Sequence, residues 1–414
     1  MLITERPLTM RMPQEMNKSY LPFFLFYVFC FMGIAIFTSF INVYFYQLGF
    51  PVSQIGILTA LGPLISMVSQ PMWGILSDRT NKRRVLMIVL AGAAVMSLII
   101  PINTSFLWLI IVLLIYWSFA TSLLPLGDAI TLQFLEGKAI KYSALRVVGA
   151  IGFGLPSIFA GLLIGGNIGR IFYYNAFFLT VTFILVSLMP AKKKVNEEDK
   201  PQTDGQEQEQ SQVQNGFGAV AALIKNKVVL CVYLSSFVFG LAMSFLHNFI
   251  GIRMTALGAH EGQVGIALFI AAFSEVPLFL IMDRVFAKHK PEHLLMLSAF
   301  FMGLRLFIMY LGNSIMLIYL AQVFHGFSFI IHLYFCIVLL HKHSPPHIKS
   351  TVQTVHAMIR MGVGAILGGL GGGFLAQHIG MQSVFLLLSV IVFSTCFALP
   401  GVLILIHKSK KRNP

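Results

Sequence analysis

Apolar residues run in long unbroken stretches along this chain, and polar residues fall in the gaps between them. Twelve such stretches stand out, at roughly 21–47, 54–77, 85–101, 106–126, 144–165, 171–189, 228–250, 263–282, 294–311, 316–340, 352–376 and 383–406. A helix needs about 20 consecutive apolar residues to cross a bilayer core. The pattern therefore predicts twelve membrane-spanning helices, the longer ones tilted or running past the membrane surface. A soluble helical protein would need a polar face on most of them, and those faces are absent.

Composition agrees. The 414 residues are 57% hydrophobic and 11% charged, and the mean hydropathy is +0.83. A soluble domain has about 25% charged residues. The first twenty residues are polar and mixed in charge, and the apolar run behind them is too long for the core of a cleaved leader. Met10, Met12 and Met16 offer alternative starts, and "MNKSYLPF" would be a natural beginning. Cys30, Cys231, Cys336 and Cys396 lie singly inside apolar stretches. They read as small core residues rather than a metal or redox motif. No cofactor or metal is expected.

The net charge of +14 could suggest nucleic acid, but its placement says otherwise. Lysine and arginine accumulate in cytoplasmic loops. With the amino end inside, the inner segments hold twenty-four of them and the outer segments only Arg170 and Arg253. That asymmetry puts both termini in the cytoplasm, after an even number of crossings. The densest inner cluster is "SDRTNKRR", with Asp78, Arg79, Lys82, Arg83 and Arg84 in seven residues.

Residues 190–226 break the apolar pattern. "AKKKVNEEDKPQTDGQEQEQSQVQN" is rich in Gln and Glu and lacks aromatics, so it cannot bury enough apolar surface to order itself. It reads as a cytoplasmic linker between two six-helix halves, 21–189 and 227–406, flanked by an N-terminal segment 1–20 and a tail 407–414. The halves look like copies. "LGFPVSQIGI" from Leu48 and "LGAHEGQVGI" from Leu257 share L-G-x-x-x-x-Q-[IV]-G-I; Asp78-Arg79 recurs as Asp283-Arg284, and Arg146 as Arg360. Parallel repeats of this kind are a transporter plan, with substrate bound between the halves near the midplane. The fifth and eleventh stretches carry GxxxG pairs at Gly161/Gly165, Gly364/Gly368 and Gly368/Gly372, which suit tight helix packing in lipid.

An ionisable residue inside a span costs roughly 2.5–3.5 kcal/mol on insertion scales, so it usually faces a partner or a wet cavity. Five are clear: Asp128, Arg146, Glu275, Arg305 and Arg360, joined by His247, His325 and His332. Asp128 and Arg146 flank one hairpin and reach similar depths, as a structural tie or as a coupling pair. Glu275 is the deep acid of the second half. Apolar surroundings favour its neutral form, which suits it to carry a proton; the alternative is a salt bridge to Arg305. His325 and His332 share a helix face, with His325 central in depth and His332 readable as a hydrogen-bonded core residue. His247 and the adjacent Asn248 are candidate substrate contacts. Three arginines against two acids favour an anionic substrate, since arginine grips carboxylates by its planar fork.

At this point the sequence resembles a known family. "GILSDRTNKRR" is similar to the loop signature of the major facilitator superfamily, G-x-L-x-D-R-x-G-R-[RK]: Gly74, Leu76, Asp78, Arg79 and Arg83 match, while Asn81 replaces glycine and Lys82 arginine. Within it, "PLGDA", "YSALRVVG", "SEV", "LR" and "QVFHGFSFIIH" resemble the phenylpropionate permease group, related to lactose permease. The resemblance implies a proton-coupled symporter of twelve helices. It implies coupling roles for Glu275, Asp128 and His325, recognition roles for Arg146 and Arg305, and gating roles for Gly74, Asp78, Arg79 and Arg83, with Asp283 and Arg284 as their second-half copy. Two departures stand out. Ser328 occupies the place of a coupling glutamate in lactose permease, and Arg360 is not typical of the phenylpropionate group.

The expectation is an all-α membrane protein in the cell membrane, monomeric, moving a small organic anion with protons by alternating access. Its partners would be that substrate, protons and the lipid bilayer, and not nucleic acid. Rival readings are a sugar or nucleoside symporter, a proton-driven drug exporter, and a receptor or assembly factor on the same fold. No phosphate loop, metal-ligand spacing or nucleophile constellation points to an enzyme.

Overall fold

A computed structural model describes residues 20–135, 152–189, 226–285, 289–345 and 348–396, with residues 398 and 402. All regular structure among the described residues is helical. Ten helices there are long and apolar enough to cross a membrane, and they coincide with ten of the twelve apolar stretches. The stretch at 144–165 begins outside the described residues, which resume with helical residues 152–158. The last stretch is described as a shorter apolar helix, Met381–Thr395. Of the expected linker, only Asn226 is described.

In chain order the elements are α1 (Leu21–Gln47), α2 (Val52–Arg79), α3 (Lys82–Ile99), α4 (Phe106–Ala120), α5 (Leu123–Leu135), α6 (Ala160–Ile164) and α7 (Arg170–Leu188). Then come α8 (Lys227–Ala256), α9 (Glu261–Val285), α10 (Pro291–Leu311), α11 (Ile315–Val323), α12 (His325–His343), α13 (Lys349–Ala357), α14 (Gly364–Ile379) and α15 (Met381–Ile391). A π-helical turn, Met358–Val363, joins α13 to α14.

Several boundaries differ from the apolar pattern for local reasons. The basic cluster is mostly helix rather than loop. The Asn81 side chain accepts the Arg84 N–H at 3.1 Å, capping α3 so that it starts at Lys82. The fourth span breaks between α4 and α5 because Pro125 has no N–H to offer the Thr121 carbonyl; Gln70 Nε2 on α2 donates to that carbonyl at 3.0 Å instead. The two copies of the L-G motif form the same cap. Gly49 ends α1 at φ +85° and Gly258 ends α8 at φ +83°, a left-handed conformation suited to glycine.

Large apolar side chains face outward, among them Leu162 at 81% and Met316 at 73% exposure. Water would not tolerate so much apolar surface, but lipid does. Lipid tails are as apolar as leucine, so helix association rests on close packing and hydrogen bonds. α7 packs on α1 and α3, and α4 on α2; further along, α14 packs on α8, and α10 on α12 and α15. The glycine stripe of α14 serves two partners. Gly364 and Gly368 abut the α8 backbone, while Gly369 and Gly373 abut Gly56 on α2.

Contacts between the earlier helices (α1 to α7) and the later ones (α8 to α15) gather at one end. Gln47 Nε2 donates to Glu261 Oε1 at 3.2 Å, the Val52 N–H to Gln377 Oε1 at 3.1 Å, and Asn42 Nδ2 to the Asn248 carbonyl at 3.1 Å. A Cβ on Gly56 would lie 2.6 Å from the Gly369 carbonyl oxygen, and one on Gly161 would lie 2.9 Å from the Gly262 Cα. Toward the other end α2 loses this cover, and Val68, Met72 and Ile75 are exposed.

Candidate functional site

The tenth span is broken in its middle, at Phe324 between α11 and α12. A break inside a membrane helix frees backbone groups that must find other partners. Here they do so on neighbouring helices. The Arg305 Nε–H of α10 donates to the Ala321 carbonyl at 3.2 Å, and the Gly326 N–H donates to Ser274 Oγ of α9 at 2.8 Å. Gly326 also lets the two helices meet, since a Cβ there would lie 2.3 Å from the Ser274 carbonyl oxygen. The residues beside that contact are Glu275 and His325, and Glu275 Oε1 and His325 Nε2 are 2.9 Å apart. Pro277 follows two residues after Glu275 and cannot donate to the Phe273 carbonyl, which loosens α9 beside the acid.

Arg305 is 1% exposed. Its Nη2 donates to Gln322 Oε1 at 3.0 Å and its Nη1 to Ser328 Oγ at 3.0 Å. The expected alternative of a direct Glu275–Arg305 salt bridge is thus not formed: Glu275 pairs with His325, and neutral oxygens hold the guanidinium. Ser328, at the position of the glutamate in the resemblance, is one of those acceptors.

These groups form one wall of a hollow of about 320 Å³. Its polar residues are Glu275, Arg305, Gln322, His325 and His247, all from α8 to α12. Phe31 of α1 and Phe153 face them from the earlier helices, and Phe329 and apolar side chains of α8 and α9 complete the lining. His247 sits midway along α8 yet keeps accessible surface, because it faces this space. Aromatic and apolar side chains thus share the hollow with one cluster of charged and polar groups.

Other residues singled out from the sequence lie elsewhere. Asn248 is beside the hollow rather than in its lining: its Nδ2 donates to Ser244 Oγ at 3.2 Å, and its carbonyl accepts from Asn42. Asp128 on α5 accepts a 2.6 Å hydrogen bond from Tyr27 Oη. Tyr27 stacks against Phe31, which lines the hollow. Arg146, its expected partner, lies outside the described residues. Arg360 is in the π-helical turn with its guanidinium 5.6 Å from the Phe329 ring centroid.

The gating candidates sit far along α2. Asp78 pairs with Lys82 at 3.4 Å on the surface, an exposed pair of the kind worth about 0–1 kcal/mol. Arg83 Nη2 donates to the Ser187 carbonyl, fastening the α2–α3 turn to α7. Arg79 is in the last turn of α2, and among the described residues no neighbouring group comes within 4 Å of the position of a Gly74 Cβ. Asp283 and Arg284 fall near the end of α9, with their side chains outside the description.

Sequence reasoning missed Tyr27, Gln322, Ser274 and Asn42. Each is an uncharged polar residue in an apolar run, and only Gln322, costly to bury without a partner, carried a signal.

The family model described as "MFS_1 like family" matches residues 20–387. A maltose permease of Geobacillus stearothermophilus is 24% identical over 408 residues, covering 96% of this chain and 96% of that protein. A probable 3-phenylpropionic acid transporter of Escherichia coli (strain K12) is 22% identical over 379 residues, covering 90% and 95%. The crystal structure of nucleoside transporter NupG superposes with a TM-score of 0.80 at 19% identity, covering 93% of this chain and 99% of that one, a likeness of fold alone. With one family description running along nearly all of it, the chain belongs to the MFS_1-like family and is a multi-pass membrane transporter of the major facilitator type.

Proposed function

We propose that this transporter is a proton-coupled symporter of a small organic anion, such as an aromatic carboxylate, working by alternating access. The observation that carries the reading is the Glu275–His325 pair, 2.9 Å apart and open to the same hollow as Arg305. Arg305 holds a permanent charge among neutral oxygens. When Glu275 is ionised, the wall is close to neutral. When Glu275 takes a proton, the arginine charge is uncompensated and the hollow favours an anion. At a separation of roughly 8 Å and an effective dielectric of about 20, removing one negative charge changes the potential on a bound anion by about 2 kcal/mol, or ~30-fold in affinity. Proton and anion therefore bind together, which is the condition for symport.

In this reading Glu275 and His325 carry the proton, with Asp128 and Tyr27 as a second proton site. Arg305 and His247 meet the substrate head, and Asn248 supports α8 from behind. Arg146 joins the recognition set through its motif. Phe31, Phe153 and Phe329 stack against a ring. Twelve helices form two repeated bundles, 21–189 and 227–406, joined by the 190–226 linker, in a monomer in the cell membrane. Both termini, 1–20 and 407–414, are cytoplasmic, as the placement of lysine and arginine supports. The conformation described is then closed toward the outside, by the contacts of Gly56 with α14. Gly74, Asp78, Arg79 and Arg83, with Asp283 and Arg284, act at the inner gate, where the exposed Asp78–Lys82 pair is free to exchange partners.

A second reading, a sugar or nucleoside symporter, is favoured by the maltose permease relative and its coverage. Uptake into proteoliposomes under an imposed pH gradient separates the two. Accumulation of 3-phenylpropanoate with acid outside, abolished by a protonophore, supports the anion reading. Gradient-driven uptake of maltose or uridine with no movement of carboxylates selects the rival. Export of hydrophobic drugs, or no solute-dependent proton movement at all, rejects both.

A further inference from the structure

Arg360 is a charged residue within a membrane helix that makes no hydrogen bond or ion pair among the described residues. Its Nε is buried without a partner. Among the described residues, its guanidinium carbon lies 5.6 Å from the centroid of the Phe329 ring, and the Cys336 thiol is within electrostatic reach. A cation–π contact leaves the N–H donors of the guanidinium plane unused, and a buried donor left unmade costs stability. Arg305 is the opposite case, with three hydrogen bonds to oxygen and almost no exposure.

The backbone of Arg360 is held in place. It lies in a π-helical turn, a form frequent at functional sites. Its carbonyl oxygen would be 2.3 Å from a Cβ on Gly240, so α8 closes directly on it. One turn earlier His356 Nε2 is 2.9 Å from Ser236 Oγ, which lies 3.5 Å from Cys336 Sγ, itself 3.5 Å from His332 Nε2. Both histidines are within electrostatic reach of Arg360. The Nδ1 of His332 is buried with no hydrogen-bond partner among the described residues. The cluster lies past Phe329, which lines the main hollow and stacks on His325 with ring centroids 5.4 Å apart. It is displaced from that hollow along α12 toward His343, away from the closed end of the bundle.

We propose that Arg360, backed by His356 and His332, is a second binding station for a small organic carboxylate, reached from the main hollow past the ring of Phe329. The inference rests on the anion reading above and deepens it: the substrate leaves Arg305's wall, passes the aromatic ring and is received by an arginine whose fork meets no acceptor among the described residues. Phe329 then separates two stations, so that a carboxylate is handed from one guanidinium to the other.

The test uses purified full-length protein in lipid nanodiscs, with benzoate and its uncharged isostere benzamide as probes and thermal stability as the readout. Benzoate raises the melting midpoint of the wild type; benzamide does so less or not at all. Arg360→Gln raises the half-saturating benzoate concentration about 10- to 100-fold and leaves the benzamide response unchanged. Arg360→Lys keeps the charge but loses the fork, and falls between. If the glutamine variant does not fold, the lysine variant decides, with about a tenfold loss for benzoate alone expected. No benzoate response in the wild type, or equal benzoate affinity in a folded Arg360 variant, overturns the station. Failure of the symport reading shows separately, as the absence of proton-driven carboxylate uptake by wild-type proteoliposomes.

Discussion

Replacing Gly56 with alanine places a methyl group where α2 and α14 leave no room for one. The added Cβ would stand 2.6 Å from the Gly369 carbonyl oxygen and 3.1 Å from the Gly373 Cα. Both are backbone atoms, so no side chain can swing aside, and the two helices must part by about 1 Å, a repacking that typically costs ~1–3 kcal/mol. In the alternating-access cycle proposed above, the penalty applies only to the conformer in which this end is closed. The balance between closed and open forms should therefore shift toward open by about 5- to 150-fold. Spin labels at Leu48 and His378, on the two helix ends that meet there, report the change as a distance distribution in nanodiscs. The wild type gives a short distance and Gly56→Ala populates a longer one. Gly371→Ala is the control, because it lies on the same α14 helix and no described residue comes within 4 Å of an added Cβ. An unchanged distribution in Gly56→Ala, or an equal shift in Gly371→Ala, would refute the role assigned to this contact.

Four other substitutions probe separate parts of the structure. Tyr27→Phe removes the 2.6 Å hydrogen bond to Asp128; an expected loss of ~1.5–3 kcal/mol should appear as a lowered melting midpoint and an altered pH dependence of uptake. Gly258→Ala forces alanine to φ +83° at the end of α8, at about 1–2 kcal/mol, and Gly49→Ala should cost a similar amount by the same thermal assay if the repeated motif forms one kind of cap. Arg305→Lys replaces a fork held by Gln322, Ser328 and the Ala321 carbonyl with a point charge, and carboxylate uptake should fall about 10- to 100-fold, measured as kcat/KM in proteoliposomes.

The spans were legible because membrane helices must be apolar over a fixed length, and that constraint is written in every residue. The L-G motif was legible as a repeat, but its meaning, a left-handed cap at Gly49 and Gly258, needed the backbone. Glu275, Arg305 and His325 stood out because charge is rare in such a chain. Their pairing did not follow from the sequence. Depth along a helix gives one coordinate, and the choice between Arg305 and His325 as partner for Glu275 depends on the break at Phe324 and on Gly326, which brings α12 against α9. The glycines of α14 read as a single packing stripe, whereas successive faces meet α8 and α2. Tyr27, Ser274 and Asn42 were hidden for a different reason: an uncharged polar residue costs little to leave in an apolar run when a neighbour on another helix satisfies it, and that neighbour is distant in sequence.

The claim at the centre is that one carboxyl group, Glu275, ties anion movement to proton movement. The direct measurement is accumulation of a radiolabelled carboxylate by proteoliposomes containing Glu275→Gln, alongside exchange of the same carboxylate across vesicles at equal pH. The variant should keep exchange and no longer accumulate substrate against a gradient when protons are supplied from outside. Proton-driven accumulation at the wild-type level in this variant would contradict it.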